Sequence, residues 1–124
     1  MMIRRRRPKG WQHPALGDVA LTTMLTALAE PVRLDVIRQL ACSGGVLKGA
    51  FDVEVTGSTL SHHLRVLTDA GLVRVTQEGR FRLCELRRAE VESRFPGLLP
   101  AVLAGAGVPG MVRSGPPSGV AGRW

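Results

Sequence analysis

No segment of this 124-residue chain approaches the ~20 consecutive apolar residues of a membrane-spanning helix. Nor does an unbroken apolar stretch of the secretory-signal kind follow the basic N-terminus, so a cytoplasmic location with no membrane partner is expected. Cysteine is scarce. Cys42 and Cys84 are the two in the chain, too few for a disulfide framework and in keeping with a reduced compartment. There is no glycine-rich phosphate loop, no Ser/His/Asp or Cys/His set on a rigid frame, and no carboxylate pair placed at a plausible cleft. An enzyme is therefore not expected, and neither is a cofactor. The chain carries no internal repeat. Its length allows one small domain, and 44% hydrophobic against 22% charged residues suits a packed globule.

The net charge of +7 is unevenly spread. Arg4, Arg5, Arg6, Arg7 and Lys9 face no acid within residues 1–14, and the tail adds Arg113 and Arg123, whereas residues 15–104 carry ten cations and ten acids. The high isoelectric point thus belongs to the ends. Residues 1–14 are expected to form a basic flexible arm able to add salt-dependent, sequence-independent attraction to DNA. Residues 105–124 hold six glycines and three prolines, the composition of a flexible tail. The domain is expected over 15–104.

Within that domain, the run from Ser58 to Asp69 places Leu60, Leu64 and Leu67 at helical spacing, which predicts a helix over 58–70 with one buried stripe. Ser58, His62, Arg65 and Asp69 fall on the opposite side, with Thr59 and Ser61 on its flanks. Short hydroxyls, an imidazole and an arginine can enter a major groove and offer hydrogen bonds to base edges and phosphates. The same face read alone could be an ordinary solvated helix surface. His63 lies nearer the buried edge, a place that suits a hydrogen-bonded core histidine more than a base contact. Gly71 then stands where a left-handed residue would end the helix. Two alternating runs follow, Leu72–Thr76 and Arg80–Leu86, joined through Gly79, and they predict a β-hairpin over 72–86. Arg80 and Arg82 are two apart in the expected second strand, so both would project opposite Phe81 and Leu83, toward phosphates beside the helix.

Upstream, the phrase from Ala27 to Leu40, ALAEPVRLDVIRQL, has Pro31 at the first position of a helix, where its missing N–H costs nothing. Val32, Leu34, Val36, Ile37 and Leu40 cover more than half of that helix. Together the two phrases and the hairpin, from about Ala27 to Leu86, resemble the ArsR-type winged helix-turn-helix repressors. The resemblance implies a mainly α fold with a small β-hairpin wing. It also implies a recognition helix at 58–70, and a homodimer formed by the first and last helices. DNA contacts would then come from Ser58, Thr59, Ser61, His62, His63, Arg65, Arg80 and Arg82. Double-stranded DNA carrying an inverted repeat and a second copy of the chain are the expected partners.

Both terminal helices are apolar enough for a dimer interface. In residues 15–29 the apolar arc is too wide for one intramolecular contact, and after the wing Val91, Phe95, Leu98, Val102 and Leu103 keep helical spacing. Pro96 and Pro100 must break or kink that second stretch. The candidate interface is Leu16, Leu21, Met24, Leu25, Leu98, Leu99 and Val102.

The chain departs from many metal sensors of the family, which carry a Cys-x-Cys pair before the recognition helix or Asp/His ligands in the last helix. Residues 44–57 contain neither Cys nor His, and the last helix offers Glu90 and Glu92 but no His, so no metal site is expected. Gly44, Gly45 and Gly49 also put in doubt the length of the helix expected there. Cys42 roughly matches a position used by thiol-responsive relatives, while Cys84 falls in the wing. A thiol switch and a small buried hydrophobe are both open for Cys42. His13 reads as a helix-entry residue. The alternatives to a DNA-reading repressor are a winged-helix scaffold for proteins and a thiol-redox repressor using Cys42, and the sequence names no inducer.

Overall fold

The structure is a computed structural model that describes residues 5–107. The start of the expected arm, residues 1–4, and most of the expected tail, residues 108–124, lie outside the described residues. In chain order the elements are β1 (Arg5–Arg6), a 3-10 turn (Leu16–Asp18), α1 (Leu21–Leu28), α2 (Pro31–Cys42) and β2 (Val46–Leu47). A second 3-10 turn (Lys48–Ala50), α3 (Gly57–Asp69), β3 (Val73–Glu78), β4 (Phe81–Leu86), α4 (Arg88–Arg94) and α5 (Leu98–Gly105) complete the fold. The strands form one antiparallel sheet in the order β1-β3-β4-β2.

Local chemistry explains where these elements start and stop. Pro31 opens α2 at its first turn, and the Glu30 carboxylate caps it by accepting from the Arg33 amide at 2.9 Å. Thr56 caps α3 through Oγ1, which accepts from the Thr59 amide. α3 ends in a Schellman motif: the Gly71 amide donates to the Thr68 carbonyl and the Leu72 amide to that of Leu67, with Gly71 at φ 82°. A side chain at Gly71 would also press on Leu16 and Val19, each 3.2 Å from where its Cβ would sit. Pro96 and Gly97 separate α4 from α5, and Pro100 falls in the first turn of α5, where it interrupts no helical hydrogen bond.

The core lies between the helices and one face of the sheet. Met24 and Leu28 of α1 meet Val36, Ile37 and Leu40 of α2, the Leu60/Leu64/Leu67 stripe of α3, Val73 and Val75 of β3, and Val91, Leu99 and Leu103 beyond the wing. Each such side chain contributes about 1.5–3 kcal/mol relative to exposure. This apolar contact, rather than helix propensity, holds elements as short as α1.

Four expectations are corrected. Residues 5–14 do not form a flexible arm: β1 pairs with β3, and Trp11, 2% exposed, belongs to the core. The first helix is not continuous over 15–29. A 3-10 turn and the extended residues Val19 and Ala20 precede α1, and Arg94 of α4 donates to the carbonyls of Leu16 and Val19, fixing that turn by tertiary contact. The first wing strand runs two residues further than expected and the second starts one residue later, since Gln77 pairs with Arg82 and Glu78 with Phe81. That leaves Gly79 and Arg80 as a two-residue turn, with Gly79 supplying the positive φ (63°) that a primed hairpin turn needs first. Arg80 is therefore a turn residue and not a strand residue. Finally, no α-helix forms over 43–56; Val46 and Leu47 instead pair with Cys84 and Leu83, extending the sheet by one short strand.

Candidate nucleic-acid interface

α3 is fixed from below. Leu64 and Leu67 are fully buried and Leu60 nearly so, which turns Ser58, Thr59, His62, Arg65 and Asp69 outward, with Ser61 half-buried at the flank. His63 lies on the inner side and is buried, as its place beside Leu60 and Leu67 required. Its Nδ1 accepts from an Arg33 guanidinium nitrogen at 3.2 Å. A guanidinium only donates, so the neutral imidazole carries its proton on Nε2. The same guanidinium donates to the carbonyls of Ala27 (2.8 Å) and Thr26 (3.3 Å). Arg33 thereby satisfies the Ala27 carbonyl at the end of α1, adds a second donor to the Thr26 carbonyl that already takes the Ala29 amide, and ties α1 and α2 to α3.

The wing stands beside this helix. Arg80 and Arg82 are exposed, and Arg82 Nε donates to Gln77 Oε1 across the hairpin. Phe81 between them is 56% exposed. A groove of about 300 Å³ opens between the wing tip and the 48–50 turn, lined by Leu47, Lys48, Gln77, Arg80, Phe81 and Arg82, so its polar rim is cationic. Arg74, further down the wing, makes no part of this surface: it donates to Glu90 at 3.0 Å.

Arg65 is placed differently from its neighbours on α3. Its guanidinium stacks 4.5 Å above the Trp11 ring and donates to the Gly10 carbonyl at 2.9 Å. The ring beneath is buried, and its Nε1 has no hydrogen-bond partner among the described residues. His13 does not enter a helix. Its Nε2 accepts from the Val75 amide at 3.1 Å, occupying the β3 edge beyond the end of β1, and burial together with Arg74, Arg87 and Arg7 lowers its pKa.

The turn segment before α3 is held by Gln39. Its side-chain amide donates to the Asp52 carbonyl (2.9 Å) and accepts from the Asp52 amide (3.0 Å), pairing with the backbone as a strand would. Sequence reasoning gave Gln39 no role. It also missed Arg87, a buried cation that grips Glu90 with two parallel hydrogen bonds and donates to the Pro14 carbonyl. Those contacts hold the Glu90 carboxyl far below its ordinary range, at about 2. An arginine one residue past a strand is a common pattern, and nothing local distinguishes this one.

Of the candidate dimer residues, Leu16, Met24 and Leu99 are buried in the single chain's own core and offer no surface to a partner. Leu21 and Leu25, one turn apart on α1, are 47% and 44% exposed, and Leu98 and Val102 are half-buried. Cys42 is exposed at the end of α2; Cys84 is buried in the sheet, and burial pushes its thiol up to about 12, so it stays protonated. Among the described residues, no three His, Cys, Asp or Glu side chains come together as a metal-binding set, and no helix is long and apolar enough to cross a membrane.

A helix locked at its base, displaying hydroxyls and an imidazole beside a basic hairpin, defines a winged helix-turn-helix, the fold of DNA-binding transcriptional regulators rather than enzymes. Residues 28–76 match the family model of a helix-turn-helix domain. Among solved structures, one described as a possible transcriptional regulator for arsenical resistance is 31% identical, over 64% of this chain and 82% of that one, with a TM-score of 0.54. An ArsR family transcriptional regulator shares the fold at 24% identity, over 69% of this chain and 90% of that one, with a TM-score of 0.55. No match is found among curated protein sequences. The chain belongs to the ArsR-type family of helix-turn-helix transcriptional regulators.

Proposed function

We propose that this regulator is a homodimeric repressor, acting in the cytoplasm, that reads an inverted-repeat operator with the outer face of α3 and holds phosphates with Arg80 and Arg82. The observation that carries the reading is the division of α3 into a fully buried leucine stripe and an outer face of Ser58, Thr59 and His62 beside a cationic wing. A helix so fixed presents its donors and acceptors in one register, which base recognition demands. Leu21 and Leu25 support a second copy as the cover for α1, and two copies would place two α3 helices about one DNA turn apart.

A role in arsenical resistance, which the 31%-identical relative's description names, is not proposed for this chain. Arsenic and soft metals select clustered thiolates, and among the described residues no three His, Cys, Asp or Glu side chains come together, Cys42 ending α2 and Cys84 lying in the sheet. Arsenite and zinc are therefore proposed not to release the protein from DNA.

Selection of bound duplexes from a random pool tests the reading. The expected product is an inverted repeat with half-sites about 10 base pairs apart; a pool that never departs from random overturns it. Sedimentation of the unaltered chain at micromolar concentration should give a dimer, and Leu25→Asp should give monomers, because a carboxylate is costly to bury in an apolar interface. A monomeric unaltered chain removes the dimer. Loss of the selected duplex on titration with sub-micromolar arsenite or zinc removes the claim about inducers.

A further inference from the structure

The N-terminal segment runs from the wing tip to the recognition helix. At one end Arg6 pairs with Gln77, one residue from the tip of β3; at the other, the Gly10 carbonyl accepts from Arg65 of α3. The five residues 6–10 therefore bridge the two elements proposed to touch DNA. Pro8 is buried and faces the molecule, whereas Arg6, Arg7 and Lys9 are exposed. No acid occurs anywhere in residues 1–14.

The anchoring of this segment is independent of its charges. Trp11 is sunk in the core, His13 takes the Val75 amide, and Arg87 donates to the Pro14 carbonyl. A fixed backbone has already lost the conformational freedom that a loose basic arm would lose on binding, so more of each electrostatic contact survives as affinity. Arg65 closes the arrangement from the α3 side. Stacked on Trp11 and bonded to Gly10, it is committed to holding the segment rather than to reaching for a base.

We propose that Arg6, Arg7 and Lys9 form a third, sequence-independent phosphate-binding element of the DNA interface, and that Arg65 is the positioning residue that sets this strand against α3. The proposal rests on the DNA reading of α3. Duplex DNA is the partner these cations fit because the segment that carries them joins the wing strand β3 to α3, and because three exposed cations with no acid among them suit a phosphate backbone.

The experiment measures affinity for a selected duplex and for an unrelated one across a range of salt concentrations. The triple variant Arg6→Ala/Arg7→Ala/Lys9→Ala should keep its melting temperature and sequence preference. Its slope of log affinity against log salt should fall by about two to three, at about 0.9 per phosphate lost, equally on both duplexes. Arg65→Ala should lower the slope as well, and adding it to the triple variant should change little further, because the cations it positions are already gone. Arg65→Lys, which keeps the charge but loses the flat stacking, should behave like Arg65→Ala. A triple variant with the unaltered slope, or an Arg65 effect that adds in full to it, overturns the proposal while leaving the α3 reading intact. An unaltered chain that binds neither duplex overturns both.

Discussion

α3 and the N-terminal segment meet at Arg65, and the forces that bring them there differ. α3 arrives by periodicity: three leucines on one stripe bury themselves, and the outer face follows from 3.6 residues per turn. The segment 5–14 has no stripe. It is held by one large ring in the core, one imidazole on a strand edge, two backbone pairs to β3 and carbonyls taken by arginines distant in sequence. The helix would keep its register if any single polar contact were lost. The segment depends on individual partners, and on Trp11 above all.

Removing the largest anchor of each region is the strongest way to break this contrast. Leu64→Ala should cost about 2–5 kcal/mol and Trp11→Ala about 3–5 kcal/mol, both read from chemical denaturation. Trp11→Phe should cost much less than Trp11→Ala, because it keeps a large aromatic ring in the core, while both variants remove an indole N–H that is buried with no partner among the described residues. A Trp11→Ala protein as stable as the unaltered chain would reduce the segment to an adherent tail.

The two histidines of α3 sharpen the contrast within a single helix. His63→Ala leaves the Arg33 guanidinium short of an acceptor in a partly buried place and should lower stability by about 1–3 kcal/mol. His62→Ala, at an exposed position, should leave the melting temperature unchanged. Equal melting losses in both variants would mean that the helix is rotated relative to this description.

The smallest effect lies in acid. The Glu90 carboxyl is depressed to about 2 by Arg87 first and Arg74 next, against an ordinary value of 4.5. A depressed carboxyl gives stability that is present above its unfolded value and lost as pH falls through the folded one. The loss therefore belongs between pH 4.5 and 2, and Glu90→Gln should flatten the stability profile there. With Glu90 46% exposed, solvent screening limits the effect to at most about 1 kcal/mol. His13, also depressed, works at a higher pH. The unfolded chain takes up its proton first as pH falls below 6.5, so stability declines there, and His13→Gln should remove that slope.

The elements legible in the sequence were those whose pattern is local. Leu60, Leu64 and Leu67 announced α3, Gly71 its end, Pro31 the start of α2 and Gly79 the wing turn. His63 could be separated from His62 because one residue is about 100° on the helical wheel. The contacts that escaped are long in sequence: Arg65 to Gly10, Arg87 to Pro14, Arg33 to His63 and Val75 to His13. A run of four arginines reads as a solvated arm when its composition is considered alone. Only Trp11, a large apolar ring a few residues on, hinted that the segment had somewhere to go. The short β2 strand was hidden for a similar reason, since Gly44 and Gly45 weaken a helix without saying that Val46 will find Cys84.

The outer face of α3 is proposed to read sequence. The most direct test is the affinity of His62→Ala for the duplex selected by the unaltered chain and for an unrelated duplex of the same length. A loss of about 1–3 kcal/mol is expected on the selected duplex and no change on the unrelated one. An equal loss on both, or none on either, would contradict it.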